Sequence, residues 1–173
     1  MKKFNVGFMV LLAAFMLFSC KGTPPKVEEE PQKSHVIEGE VTEEKIEEAL
    51  EEIYEEYQPS LDMTDAQSYT VAIGDTLVSI AQRFYGSLTD VGEAGASNGF
   101  YFPIIMLGSE HDIADPDLIH PGMVLMIPDL KRNLDNPAAH QAIKDFLKEV
   151  AYIYNKKGNS QKEAGLIGLA DSL

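Results

Sequence analysis

The chain is poor in the residues from which most catalytic and metal sites are built. It has one cysteine, Cys20, so no disulfide can form within the chain. Its four histidines are scattered and do not show the HExxH spacing of a zinc protease. No GxSxG motif is present, and the helical segments are too short to hold two carboxylates across a glycosidase cleft. We therefore expect a protein that is not an enzyme and has no metal or other cofactor site.

Basic residues are also scarce, except near the end of the chain. The sequence has 28 acidic and 14 basic side chains, and a formal net charge of −14. Residues 21–67 hold 15 acidic and 4 basic side chains, residues 68–129 hold 8 and 1, and residues 130–173 hold 5 and 7. Because phosphates require clustered lysine and arginine, this distribution excludes nucleic acid as a partner and predicts repulsion from anionic lipid headgroups.

The one long apolar run of the sequence lies at its start. Residues 4–18 are apolar except for Asn5, follow two lysines, and end just before Ser19 and Cys20. The run is too short to span a bilayer, so it predicts a secretory signal over residues 1–19. The position of Cys20 resembles a bacterial lipobox. That resemblance implies a diacylglycerol and an N-acyl lipid on Cys20, which would anchor the protein to a cell membrane, facing the periplasm. The alternative is an ordinary signal peptide with an incidental cysteine, and the sequence leaves open whether the membrane is the inner or the outer one.

Two segments of different composition follow. Residues 20–41 have almost no apolar content and predict a disordered acidic tether, which as a relaxed coil spans about 25 Å. From Thr42, apolar residues recur at helical spacing until Pro59 ends the run. Residues 42–58 therefore predict an amphipathic helix with an acidic outer face. Its apolar stripe either docks on the rest of the chain or binds an envelope protein or a second copy.

The last segment, residues 136–173, predicts a helical hairpin. An Asn-Pro pair starts the first helix, Gly158 ends it, and a Ser-Gln-Lys-Glu capping box from Ser160 opens a second, shorter helix. We expect the hairpin to pack against the rest of the chain, with Gly165 and Gly168 permitting close approach. The alternative is that residues 136–173 bind an envelope protein partner.

The middle of the chain contains two patterned strings. Residues 69–73 alternate as a half-buried strand does, and the alternating apolar positions are Tyr69, Val71 and Ile73. Gly74 supplies a turn, and a helix is predicted from Thr76. Residues 121–128 begin with a Pro-Gly turn and continue as a short apolar strand. The sequence thus predicts a strand–helix–helix–strand unit whose two strands pair antiparallel.

These strings resemble the two ends of a LysM domain. The resemblance spans residues 68–129, and the matching strings are Tyr69-Thr70-Val71, Gly74-Asp75-Thr76-Leu77, Ile80-Ala81, Phe84-Tyr85-Gly86, Asp115-Pro116-Asp117-Leu118-Ile119-His120-Pro121-Gly122 and Ile127-Pro128. It implies an α+β fold, in which a LysM βααβ unit with a two-stranded antiparallel sheet and two helices is flanked by an N-terminal amphipathic helix and a C-terminal helical hairpin. Residues 88–99 interrupt the pattern, and their glycines indicate a flexible surface loop rather than a phosphate cradle.

The resemblance also implies a ligand, namely peptidoglycan or another glycan that contains N-acetylglucosamine. The residues carried over to the binding groove are Gly74, Asp75, Thr76, Leu77, Asp117, Leu118, Ile119 and His120. Backbone groups of such loops can hydrogen-bond acetamido groups, and leucine and isoleucine offer apolar contact. Each residue also has a structural alternative, since Asp75 or Thr76 can cap the following helix, and Leu77 and Ile119 can belong to the core.

The densest polar cluster is His111, Asp112, Asp115 and Asp117, which is either a weak cation site or a solvated acidic loop. The sequence predicts a non-catalytic, lipid-anchored cell-envelope protein that binds peptidoglycan through one LysM module. The alternative is a protein-interaction scaffold, or an accessory subunit of an envelope complex, that keeps the LysM fold without strong glycan binding.

Overall fold

The computed structural model describes residue 37 and residues 39–86, 98–109 and 113–173. Cys20, the predicted signal peptide over residues 1–19 and most of the predicted tether over residues 20–41 lie outside these ranges. Residues 88–97 of the predicted insertion lie outside them as well. Within the described ranges, no helix is both long enough and apolar enough to cross a membrane.

Two short strands pair as the sequence predicts. Strand β1 (Gln67–Thr70) and strand β2 (Val124–Ile127) form a two-stranded antiparallel sheet. The pairing continues beyond β1, because the amide of Val71 donates to the carbonyl of Met123 and the amide of Gly122 donates to the carbonyl of Val71, each over 2.9 Å. The turn before β2 is thereby tied to the segment that leaves β1.

The prediction that Ile73 belongs to the first strand is wrong. β1 ends at Thr70, and the chain turns at Ala72, whose carbonyl accepts from the amide of Asp75 over 3.2 Å. Gly74 in this turn has a φ of +88°, a backbone conformation that favours glycine. Ile73 is 91 % exposed as a result.

The predicted N-terminal amphipathic helix is confirmed. Helix α1 (Glu43–Tyr57) begins after Thr42, whose hydroxyl oxygen accepts from the amide of Lys45 over 3.3 Å. Its buried apolar residues are Ile46, Leu50, Ile53 and Tyr54. All eight of its glutamates are exposed. Since the hydroxyl of Tyr54 donates to the carbonyl of Ile113 over 3.0 Å, the apolar stripe docks on the rest of the chain.

Two helices separate β1 from β2 in the described residues. Helix α2 (Leu77–Tyr85) is followed by a 3-10 turn over Asn98–Tyr101 and helix α3 (Phe102–Gly108). Thr76 caps α2 in a reciprocal capping box, because its hydroxyl oxygen accepts from the amide of Ser79 over 3.1 Å and its amide donates to the Ser79 hydroxyl over 2.9 Å.

Three helices follow β2, namely α4 (Leu130–Asp135), α5 (Pro137–Lys156) and α6 (Ser160–Ser172). The hairpin of α5 and α6 confirms the prediction, whereas the short helix α4 was not predicted. The predicted cap at Ser160 is wrong. The N-cap is Asn159, whose side chain accepts from the amide of Lys162 over 3.1 Å. Ser160 is therefore the first residue of the helix rather than its cap.

Helix α5 joins the flanking helices and the central unit in one core. Its Phe146 ring lies 5.9 Å from the Tyr54 ring and 6.0 Å from the Tyr57 ring of α1, measured between centroids. Its Tyr154 ring packs edge-on against Phe102 of α3 at 6.1 Å. Residues 102–107 of α3 are all buried. A helix without a polar face needs cover on every side, and α5 provides part of it.

Helix α6 approaches the 3-10 turn closely at one glycine. A Cβ added to Gly165 would lie 2.3 Å from Cζ of Phe100, which is too close for an undisturbed contact. At Gly168, no heavy atom of the described residues, apart from the adjacent helix backbone and chain neighbours, lies within 4 Å of the corresponding position. The expected close approach is therefore confirmed at Gly165 and wrong at Gly168.

We expect Gly165→Ala to lower the free energy of unfolding by about 1–3 kcal/mol, because the new methyl group must displace the Phe100 ring. Gly168→Ala is the matched control in the same helix. It should leave stability unchanged or raise it by up to about 1 kcal/mol, since alanine favours helix over glycine. Urea denaturation followed by circular dichroism measures both. Equal effects of the two substitutions would contradict the packing described.

Candidate functional site

The two loops singled out in the sequence meet at a small cleft. Its lining residues from the loops and the neighbouring helices are Asp75, Thr76, Leu77, Val78, Phe102, Pro116, Asp117, Ile119, Tyr154 and Lys162. The cleft has a volume of about 100 Å³. Pockets that enclose a drug-sized ligand begin at about 300 Å³. A cleft this small can hold one substituent or one edge of a larger ligand, and the rest of the ligand must lie on the open surface.

Asp75 stabilises the first loop through both of its carboxylate oxygens. Oδ2 accepts from the Tyr69 hydroxyl over 2.6 Å and from the amide of Ala72 over 2.9 Å, and Oδ1 accepts from Arg83 over 3.0 Å. Arg83 also donates to the Tyr69 hydroxyl. The hydrogen bond from Tyr69 is the main reason why the pKa of Asp75 lies below its usual value. Asp75 therefore holds the turn, while the helix cap is Thr76.

Thr76 and Leu77 differ in what they can offer to a ligand. The hydroxyl oxygen of Thr76 accepts from Ser79, but its proton has no acceptor among the described residues. The amide of Gly74 likewise donates to no acceptor in the described part of the chain. Leu77 is only 2 % exposed and belongs to the core, although it borders the cleft. The first loop thus presents mainly a hydroxyl and backbone groups.

In the second loop, two aspartates pair with lysines of the C-terminal hairpin. Lys157, the C-cap residue of α5, lies 2.7 and 2.9 Å from the two carboxylate oxygens of Asp115 and 2.8 Å from Oδ2 of Asp117. Oδ1 of Asp117 accepts from Lys162 of α6 and, over 2.9 Å, from the Tyr154 hydroxyl. We call Asp115, Asp117, Lys157 and Lys162 the ion-pair cluster. It is neutral overall and fixes the loop before β2 on the hairpin.

The ion-pair cluster also bears on the cation site considered from the sequence. Lysine ammonium groups already neutralise Asp115 and Asp117, whereas His111 and Asp112 lie outside the described residues. In the ranges that the structure describes, no group of three or more His, Cys, Asp or Glu side chains could hold a metal ion.

The ionisation of the cluster follows from its geometry. Burial raises the pKa of Asp117, but hydrogen bonds from Lys157 and Lys162 lower it further than burial raises it, so the pKa lies below 3.8. Burial lowers the pKa of Lys157, but its bonds to Asp115 and Asp117 outweigh this and leave the pKa above its usual value. Asp117 and Lys157 are therefore both charged at neutral pH.

The other predicted residues of the second loop lie nearer to solvent. Leu118 is 48 % exposed, and Ile119 is half-buried and lines the cleft. His120 is exposed, and its amide donates to the sulfur of Met123 within the turn. The amide of Ile119 has no acceptor in the described ranges. The loop thus offers apolar surface and a backbone donor to a ligand.

The sequence analysis missed five residues that line the cleft, namely Val78, Phe102, Pro116, Tyr154 and Lys162. Ile73 adds exposed apolar surface next to Gly74, while Tyr154 and Lys162 line the cleft from the hairpin. The sequence contained one indication of the role of Lys162, namely its charge distribution. Residues 130–173 have a surplus of basic side chains, and residues 68–129 have a surplus of acidic ones.

Comparison with known families identifies the central unit. The profile of the LysM domain matches residues 69–128, about a third of the chain. These residues form a LysM domain. LysM domains bind glycans that contain N-acetylglucosamine, and they are carbohydrate-binding modules without catalytic activity. Comparison of the chain with curated proteins and with solved structures gave no match.

The helices on either side lie outside the residues that match the LysM domain. Helix α1 ends before the match begins, and α5 and α6 follow it. Tyr154 and Lys162 therefore reach the cleft of the LysM domain from outside the LysM sequence.

We expect the free energy of unfolding to fall as the pH drops below about 4. The pKa values of Asp75 and Asp117 are lower in the folded protein than the usual 3.8, so the unfolded chain binds protons first on acidification. Their stabilising contribution is complete above that value and is lost as the pH falls through the folded pKa. Asp117→Asn should weaken this acid dependence, as measured by urea denaturation at a series of pH values.

The control for this experiment is Asp135→Asn, which removes a carboxylate of the exposed ion pair with Lys131. Exposed pairs contribute little to stability, so the control should keep the wild-type acid dependence. An Asp117→Asn curve parallel to that of the wild type would contradict the prediction.

Proposed function

We propose that the protein is a non-catalytic component of the bacterial cell envelope that binds the N-acetylhexosamine backbone of peptidoglycan through its LysM domain. The observation that supports this most strongly is the LysM match over residues 69–128, in a fold whose two loops meet at one cleft. The free donors of those loops suit the neutral acetamido and hydroxyl groups of such a glycan.

Recognition in this proposal depends on hydrogen-bond donors and apolar surface rather than on a net charge of the cleft. The loop carboxylates of Asp75, Asp115 and Asp117 are all engaged within the protein. The amides of Gly74 and Ile119 and the Thr76 hydroxyl are among the donors that have no acceptor in the described residues and can reach sugar oxygens. Because the cleft is small and most of the glycan would stay in water, we expect modest affinity.

We further propose that the protein is anchored to a membrane by a diacylglycerol and an N-acyl lipid on Cys20. The support is the sequence alone, namely the apolar run that ends before the only cysteine. Several acyl chains give stable anchoring where one chain gives marginal binding. The acidic segment over residues 20–41 would then separate the LysM domain from the bilayer, on the periplasmic side of either the inner or the outer membrane.

We expect Cys20→Ala to abolish metabolic labelling with a clickable palmitate analogue and to move the protein from the membrane fraction to the soluble fraction of cells that express the full chain. Cys20 would be the acceptor of the lipid, and no other cysteine can replace it. Labelling or membrane association that survives the substitution would contradict the lipid anchor.

A second function is favoured by one observation about the cleft. Side chains of the hairpin form one wall of the cleft, and the volume that remains is only about 100 Å³. In addition, the eight glutamates of α1 form a large exposed acidic face to which a protein could bind. The protein would then be an interaction scaffold, or an accessory subunit of an envelope complex, with a LysM fold and little glycan affinity.

Co-sedimentation with purified sacculi distinguishes the two functions. The wild-type chain should sediment with sacculi. Leu118→Glu should lower the affinity about fivefold, since about 1 kcal/mol of apolar contact is replaced by a charge. Val124→Glu is the matched control, because Val124 is 51 % exposed, as Leu118 nearly is, but lies on β2 and in neither of the two loops, and this variant should bind as the wild type does.

If the wild-type chain does not sediment with sacculi, the glycan proposal is contradicted and the scaffold function is favoured. Equal losses in Leu118→Glu and Val124→Glu would place the contact elsewhere on the domain. Circular dichroism of each variant checks that the fold is kept.

A further inference from the structure

The cleft of the LysM domain has a wall that the LysM sequence does not provide. Tyr154 of α5 and Lys162 of α6 line it together with Thr76 and Ile119. The Tyr154 side chain is fully buried, whereas the Lys162 side chain is 29 % exposed. Of these two residues, Lys162 is therefore the one that can reach a ligand.

The ammonium group of Lys162 is held in a defined place. It donates to Oδ1 of Asp117 and, over 3.1 Å, to the hydroxyl oxygen of Tyr154, and it lies 4.6 Å from the centroid of the Tyr154 ring. A lysine ammonium has three donors. The described residues use two of them, so one remains for a ligand in the cleft.

The surroundings of Lys162 determine what kind of ligand atom it can bind. Asp115 and Asp117 neutralise the two lysines of the ion-pair cluster, so the cleft has no surplus positive charge to attract an anion. The remaining N–H can still form a charge-assisted hydrogen bond, which is roughly twice as strong as a neutral one. A neutral acceptor such as an acetamido carbonyl oxygen fits this environment.

We propose that Lys162 is a glycan-contacting residue of the LysM cleft that donates a hydrogen bond to an acetamido oxygen, and that Asp117 positions it. This inference rests on the proposed glycan binding and deepens it. Asp117, which the sequence assigned to the sugar, acts through Lys162, because its carboxylate oxygens are taken up by Lys157, Lys162 and Tyr154. The C-terminal hairpin is then part of the binding site.

The test is isothermal titration of the full chain with a tetramer of N-acetylglucosamine and, separately, with the deacetylated glucosamine tetramer. Lys162→Met keeps an unbranched stem and removes the ammonium. It should bind the acetylated tetramer about tenfold more weakly than the wild type does, because one hydrogen bond to a charged donor is lost. It should bind the deacetylated tetramer as well as or better than the wild type, since a cationic sugar amine no longer faces an ammonium.

Lys131→Met is the matched control. It removes an ammonium from α4 that is exposed and paired with Asp135, and it should leave the affinity for both tetramers unchanged. Lys162→Arg, which restores a cation with several donors, should recover part of the affinity for the acetylated tetramer.

The outcomes separate this inference from the proposed function. If the wild-type chain binds neither the acetylated tetramer nor sacculi, the proposed function fails and the inference fails with it. If the wild type binds and Lys162→Met binds equally well, only the inference is overturned. If Lys162→Met loses affinity equally for both tetramers and has a lowered melting temperature, Lys162 is a purely structural residue. That result also overturns the inference.

A measurement on the unmutated protein guards against unfolding of the variant. The NMR signal of the Lys162 ammonium should shift when the wild-type chain is saturated with the acetylated tetramer, while that of Lys131 should stay in place. An unchanged Lys162 signal would overturn the inference whatever the variants do.

Discussion

The position of the loop before β2 depends on the ion-pair cluster of Asp115, Asp117, Lys157 and Lys162. This loop has little regular structure of its own, and two carboxylates hold it on the C-terminal hairpin. Partly buried charges of this kind are costly to leave without a partner, so the loop and the hairpin are expected to keep or lose their arrangement together. The cluster also explains why an acidic domain can pack against this hairpin, since residues 130–173 have the basic surplus that residues 68–129 lack. The width of the cleft follows from where the cluster places the loop.

Apolar packing, like the ion-pair cluster, joins the LysM residues to the C-terminal hairpin. Residues 102–107 of α3 are buried on every side, and the edge-on contact between Phe102 and Tyr154 shows that part of their cover comes from α5. Gly165 lets α6 approach Phe100 at the start of the same region. The LysM residues therefore share one core with helices outside the LysM sequence, and an excised LysM segment would expose apolar surface that the full chain buries. The site is best regarded as a LysM cleft with an additional helical wall.

Much of the fold could be predicted from the sequence, because periodicity and caps are local signals. Thr42 and Thr76 cap the helices that follow them. The strand predicted from alternation was too long, because it included Ile73. The apolar spacing continues to Ile73, but the turn at Ala72 and Gly74 has already ended the strand. Helix α4 has six residues and too few apolar positions to show a period. The wall of the cleft that the hairpin forms could not be predicted from the sequence. Lys162 and Asp117 are 45 residues apart, and only tertiary packing brings them together.

Glycan binding and the role of Lys162 both require a glycan that lies between the two LysM loops with the hairpin beside it. A crystal structure of the full chain with a tetramer of N-acetylglucosamine tests this most directly. We expect one acetamido group in the cleft, with its carbonyl oxygen within hydrogen-bonding distance of the Lys162 ammonium and its sugar ring against Ile119. A tetramer bound away from both loops, for instance along α1, or a cleft that stays empty while sacculi are still bound, would contradict the account.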